Sequence, residues 1–108
     1  MIKFDYTPTF VKNAKQLKKR YASFKSDLDE MLTSLSEKPT QGVALGGGFR
    51  KIRMQIKSKG KGKSGGARLI TLNCLVAEND GIVTLVTIYD KSDFDNITMK
   101  EIREAYGK

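Results

Sequence analysis

Ile2, Phe4 and Tyr6 alternate with Lys3 and Asp5, which predicts a short strand with one buried face. Thr7 and Pro8 then supply an N-cap and a proline at the first helical position. Phe10, Ala14, Leu17 and Tyr21 follow at spacings of four, three and four, the stripe of an amphipathic helix whose other face carries Lys12, Lys15, Lys18, Lys19 and Arg20. A second helix places Leu28, Met31, Leu32 and Leu35 on one side, starts at Ser23 or Ser26, and stops near Pro39. So tight a junction predicts an antiparallel hairpin. Residues 40–48 turn to glycine and small side chains, the composition of a loop. Ile52, Met54 and Ile56 then alternate with Lys51, Arg53, Gln55 and Lys57, a half-buried strand with a cationic wet face. A connection rich in glycine and lysine (58–66) leads to two strands, 67–77 and 82–90, with a turn at 78–81. After a polar loop at 90–96, Thr98 and Glu101 form a capping box, and Met99, Ile102, Ala105 and Tyr106 predict the buried side of a short helix. The expected order is β-α-α-β-β-β-α. It describes one α+β domain over residues 1–108, with a mainly antiparallel sheet packed on an N-terminal helical hairpin.

Charge changes this picture most. The chain carries a formal +8, and nine of its 20 cations lie between Glu37 and Glu78, where no acid occurs. Elsewhere acids and bases nearly cancel, so the basicity is a local device, and a field concentrated this way favours a polyanion such as nucleic acid. At 108 residues the chain supports a single core. No stretch approaches the roughly 18 apolar residues of a membrane helix, and residues 1–10 hold no apolar run of the secretory type. The expectation is a cytoplasmic protein without membrane contact. Cys74, the single cysteine, sits in an apolar run and reads as a core thiol in a reducing compartment. With no histidine, any chemistry must use Lys, Arg, Tyr, Asp or Glu.

Gly60-Lys61-Gly62-Lys63-Ser64-Gly65 satisfies G-x-G-x-x-G, but a phosphate loop of that kind must open a helix, and this one feeds a strand. It reads instead as a flexible hairpin tip whose lysines touch phosphates. On the preceding strand Lys51, Arg53 and Lys57 share a sign, and like charges two residues apart repel unless an anion lies over them. Antiparallel pairing brings Arg68 to the same side as Arg53, a phosphate clamp in the making. Asp90, Asp93 and Asp95 lack the glycine and glutamate of a calcium loop, so they read as a turn exposing acids beside a basic cleft. Tyr89 is either a core aromatic with its hydroxyl at the rim or a stacking platform for a base.

Three segments, Leu45-Gly46-Gly47-Gly48-Phe49-Arg50-Lys51-Ile52-Arg53, residues 58–69, and Ile88-Tyr89-Asp90-Lys91-Ser92, stand out together. They resemble the RelE/ParE superfamily of type II toxins, nearest its RelE and HigB-like branch. The resemblance implies a toxin that enters the ribosomal A site and cuts mRNA there without metal or small-molecule cofactor, leaving 2′,3′-cyclic phosphates. Its partners would be the ribosome, mRNA and a cognate antitoxin protein. It further implies that Lys51, Arg53 and Arg68 line a concave catalytic face. Lys91 stands where the family often has a lysine-arginine pair, followed here by Ser92, and Thr98 stands where some relatives have tyrosine.

RNA supplies its own nucleophile, the 2′-OH, so catalysis needs alignment, proton transfer and charge neutralisation. The expectation is that Arg53 and Arg68 hold the phosphate and that Lys51 and Lys91, with Tyr89, handle protons. Arg50, Lys57, Lys59, Lys61 and Lys63 would grip ribosomal RNA. Two other functions fit the same chain: a non-catalytic RNA- or ribosome-binding module, and a ParE-like poison of DNA gyrase, which the cationic face argues against.

Overall fold

The computed structural model describes residues 1–94 and 96–107. Strand β1 (Ile2–Tyr6) leads into helix α1 (Pro8–Arg20) through Thr7, whose Oγ1 accepts from the Phe10 amide at 3.0 Å. The same hydroxyl donates to the Val86 carbonyl at 2.6 Å, so the cap also ties α1 to the sheet. Helix α2 (Phe24–Glu37) begins after Ser23 and ends two residues before Pro39, as the sequence requires. Ser23 does not cap by its side chain. It donates to Asp27 Oδ2 at 2.6 Å and accepts from the Ser58 amide at 2.8 Å, while Asp27 Oδ2 accepts from the Lys57 amide at 3.0 Å. The start of α2 thereby anchors the turn after the central strand.

The remaining elements are β2 (Val43–Gly46), β3 (Phe49–Met54), a single 3-10 turn (Lys57–Lys59), β4 (Ala67–Ala77), β5 (Asp80–Asp90) and α3 (Met99–Tyr106). They build a five-stranded mixed sheet in the order β1-β5-β4-β3-β2, with β1 parallel to β5 and the other pairs antiparallel. The order is thus β-α-α-β-β-β-β-α. Residues 40–48, expected as loop, contain β2. Val43 and Ala44 pair with Lys51 and Arg50, and Gly46, Gly47 and Gly48 take φ of 94°, 63° and 87° to turn the chain back. Only glycine adopts that run readily, which is why the composition hides a hairpin.

Two cores sandwich the sheet. On one face Ile52, Met54, Leu69 and Ile88 pack against Phe10 and Leu17 of α1 and Phe24 and Leu35 of α2. On the other, Ile70 and Val86 meet Ile102 and Ala105 of α3, whose capping box forms as expected: Glu101 N donates to Thr98 Oγ1 at 3.1 Å. Each fully buried aliphatic or aromatic side chain contributes about 1.5–3 kcal/mol. Tyr106, expected on the buried side, is instead about half exposed, with its ring edge-on to Phe49 at 6.0 Å. Cys74 is exposed as well, not a core thiol. It lies on the α3 side of the long β4–β5 hairpin, opposite Ile82, which is also exposed.

One irregularity decides which residues face where. Ile70 pairs with Thr87 but Thr71 with Leu85, so Val86 is an extra residue in β5. Simple alternation puts Tyr89 on the same side as Leu85, in the hairpin core. The bulge reverses the phase, so Ile88 joins that core and Tyr89 turns to the α3 side. No described helix is long and apolar enough to cross a membrane.

Candidate functional site

Register brings the predicted cations together. Arg53 stands opposite Arg68 across β3–β4, and Arg68 opposite Tyr89 across β4–β5, so these side chains form one row on the α3 side of the sheet. Lys51 shares that face two residues along β3, beside Ile70, and its Nζ donates to Asn96 Oδ1 at 3.1 Å. Among the described residues no carboxylate stands in the row. Arg53 is exposed and makes no ion pair with any described residue.

The row is not uniformly open. Arg68 is only 7% exposed, and its guanidinium donates to the carbonyls of Ser64 at 2.9 Å and of Lys63 and Ala67 at 3.3 Å. Two arginines directly opposite each other repel. Arg68 relieves this by folding back on the loop that precedes it, which fixes the path of the glycine-rich tip. Lys61 and Lys63 remain exposed on that tip. Lys91 follows directly after β5, half-buried, with its amide bonded to the Gly66 carbonyl at 3.0 Å.

Other cations expected on an RNA surface lie elsewhere. Arg50 points to the opposite side of β3 from Lys51 and Arg53, where Nε donates to the Gln41 carbonyl and a terminal nitrogen to the Gly42 carbonyl, both at 3.0 Å. Lys57 falls past the end of β3 and pairs with Glu30 at 2.7 Å. Hydrogen bonding to Glu30 raises its pKa. Lys59 turns inward with its side chain 7% exposed, bonded to Asp90 Oδ1 at 2.5 Å and Ser92 Oγ at 2.7 Å. Three of the five expected RNA-gripping cations therefore hold the fold together.

Asp90 is the hub of that inner network. Expected as an exposed acid, it is 2% exposed and accepts from Lys59, from the Tyr21 hydroxyl at 2.5 Å, from Arg20 at 3.0 Å and from the Ser92 amide at 2.9 Å. Burial is the strongest single influence on its pKa and acts upward. The bonds from Lys59, Tyr21, Ser92 and Arg20 together overcome it and hold the carboxyl well below the usual carboxylate range. Hydrogen bonding to Asp90 in turn raises the Tyr21 pKa, with burial adding to it. Asp93 pairs with Arg20 at 2.9 Å, and Asp95 lies outside the described residues. Among the described residues no acidic, histidine or cysteine cluster is able to hold a metal ion.

Beside the row lies a cavity of about 200 Å³ between α1, β5 and α3, with Tyr89, Asn13, Glu101, Asn96 and Phe94 in its walls. Tyr89 is 7% exposed and its hydroxyl has no partner among the described residues. An unsatisfied buried hydroxyl costs about 1–3 kcal/mol. Burial raises its pKa most; Glu101 adds to this and Arg68 opposes it, so the phenol stays protonated at neutral pH. Its ring meets Phe94 edge-on at 6.0 Å, so it is a wall and not an open stacking platform. Phe94, more than half exposed, lies in a loop whose composition otherwise reads as polar; a lone aromatic four residues past the end of β5 is the signal for it. Comparison with protein-family models and with curated proteins finds no match for this chain.

Proposed function

We propose that the protein is a RelE/ParE-type toxin, a metal-independent endoribonuclease that cuts mRNA in the ribosomal A site and is held in check by a cognate antitoxin in the cytoplasm. One observation carries the reading: Lys51 and Arg53 project from one strand into the same unneutralised face, in line with Arg68 and Tyr89 of the next two strands. The α+β plan, with a sheet on an N-terminal helical hairpin and a short final helix, supports it further.

In this reading the exposed Arg53 grips the scissile phosphate in fork geometry. The 2′-oxygen attacks the adjacent phosphorus and the 5′-oxygen departs, giving a 2′,3′-cyclic phosphate and a 5′-hydroxyl. Of Lys51 and Lys91, one takes the 2′-OH proton and the other, as an ammonium, protonates the departing 5′-oxygen. Arg68, already bonded to three carbonyls, positions the tip carrying Lys61 and Lys63 and adds positive potential from beneath. Tyr89, kept as phenol, acts as a donor and not as the base.

A second reading has its own support. With Arg68 occupied and Tyr89 covered, the face is better equipped to bind RNA than to cut it, which favours a non-catalytic ribosome-binding module. Primer extension on translating ribosomes separates the two. Cleavage by the wild type, lost in Lys51→Ala and Arg53→Ala, supports the nuclease; binding that weakens with salt but leaves mRNA intact overturns it.

A further inference from the structure

We propose that the cavity between α1, β5 and α3 is a nucleobase subsite, selective for bases that carry an exocyclic amino group. The inference rests on reading the adjoining cationic face as an RNA surface, which it extends to the cavity beside it.

Continuity comes first. Asn96 lines the cavity and accepts from Lys51 Nζ at 3.1 Å, so the ammonium stands at the cavity's mouth. Tyr89 belongs both to the cation row and to the cavity wall. A nucleotide with its phosphate on Lys51 and Arg53 has its base directed at this opening. Size comes next: about 200 Å³ falls short of the roughly 300–1,000 Å³ used by whole drug-sized ligands. The space takes one ring system and leaves sugar and phosphate outside.

Polarity sets the choice of base. Glu101 is held anionic by hydrogen bonds from the Thr98 amide and hydroxyl, which repels a phosphate from the cavity and accepts from an amino group. Asn13 donates through Nδ2 to Thr87 Oγ1 at 3.1 Å, and its Oδ1 has no partner among the described residues. Those two acceptors face a cavity that also holds the buried, unpartnered Tyr89 hydroxyl, which both donates and accepts. Adenine, cytosine and guanine present an exocyclic amino group to such a wall; uracil offers a single ring N–H flanked by two carbonyls, which the two acceptors repel. Phe94 and Tyr89, edge-on to each other, supply the apolar flank.

The test is an amide-resolved NMR titration of the full chain with AMP, CMP, GMP, UMP and ribose 5-phosphate. Amides of Asn13, Thr87 and Glu101 are expected to shift with the three amino-bearing nucleotides, and UMP to bind at least about tenfold more weakly. Ribose 5-phosphate is expected to perturb only the neighbourhood of Lys51 and Arg53. Glu101→Gln keeps the capping box, since glutamine serves at that position, and should remove most of the preference for amino bases. Ala105→Leu should fill the cavity and abolish base-dependent shifts; its dispersion reports whether it folds, and Glu101→Gln answers if it does not. Equal binding of nucleotides and ribose phosphate, equal binding of UMP, or no shift at millimolar nucleotide each overturns the subsite. Cleavage is assayed separately on ribosomes. If mRNA stays intact while base-dependent shifts appear, the nuclease reading falls and the subsite stands.

Discussion

Lys51 and Arg53 on β3 and Lys59 and Arg68 a few residues later come from the same acid-free stretch, yet they have opposite fates. The first pair stands on a sheet face with no carboxylate partner among the described residues; the second is buried, Lys59 on Asp90 and Arg68 on three carbonyls. Local charge density is therefore a poor guide to which cations meet a ligand. What separates them is what lies over each: Lys59 sits on a turn that folds back toward the acidic end of β5, and Arg68, although on the same sheet face as Arg53, bonds to carbonyls of the glycine-rich tip.

The contrast is broken most severely at its buried end. Asp90→Ala leaves Lys59 buried without a counter-charge and should cost about 3–5 kcal/mol in urea unfolding. Next, Arg68→Ala removes the bonds to the 63–64 carbonyls and should cost about 2–3 kcal/mol, with faster limited proteolysis within the glycine-rich tip. Acid gives a graded version. The folded pKa of Asp90 is depressed, so its contribution is complete above its unfolded value of about 3.9 and is lost as pH falls from there toward the folded value. Thermal melts should therefore decline below about pH 4, and less steeply in Asp90→Asn. At the open end, Lys51→Ala and Arg53→Ala should change stability by no more than about 0.5 kcal/mol while each reduces the salt slope of single-stranded RNA binding by about 0.7. Smallest of all, Cys74→Ser should leave the melt unchanged, because the thiol is exposed; a thiol reagent should label it in the native protein.

Much of the fold was legible because local signals agreed. Thr7-Pro8, the stripe from Phe10 to Tyr21, the β3 alternation and the Thr98–Glu101 box all work within a few residues of chain. β2 was not legible, since a strand of Val, Ala, Leu and Gly beside three glycines has no period to read. The bulge at Val86 was equally invisible: it is a property of pairing, and it alone moves Tyr89 from the hairpin core to the cation row. For the site, alternation correctly set Lys51 and Arg53 on one face and antiparallel pairing added Arg68. The Lys59–Asp90 contact spans 31 residues and no spacing rule foretells it. Cys74 misled because β4 and β5 outrun the helices meant to cover them.

The parallel pairing of β1 with β5 joins Ile2 to Gly81 and Tyr6 to Leu85, and the amino-terminal nitrogen donates to the Asn79 carbonyl at 2.9 Å. A segment made early thus has its place beside one made much later. At roughly 5–20 residues per second, the nascent hairpin waits several seconds for its sheet. Tyr89 completes the row only after Arg53 and Arg68 have been made, so a half-synthesised chain carries positive charge without an assembled face on which to align RNA.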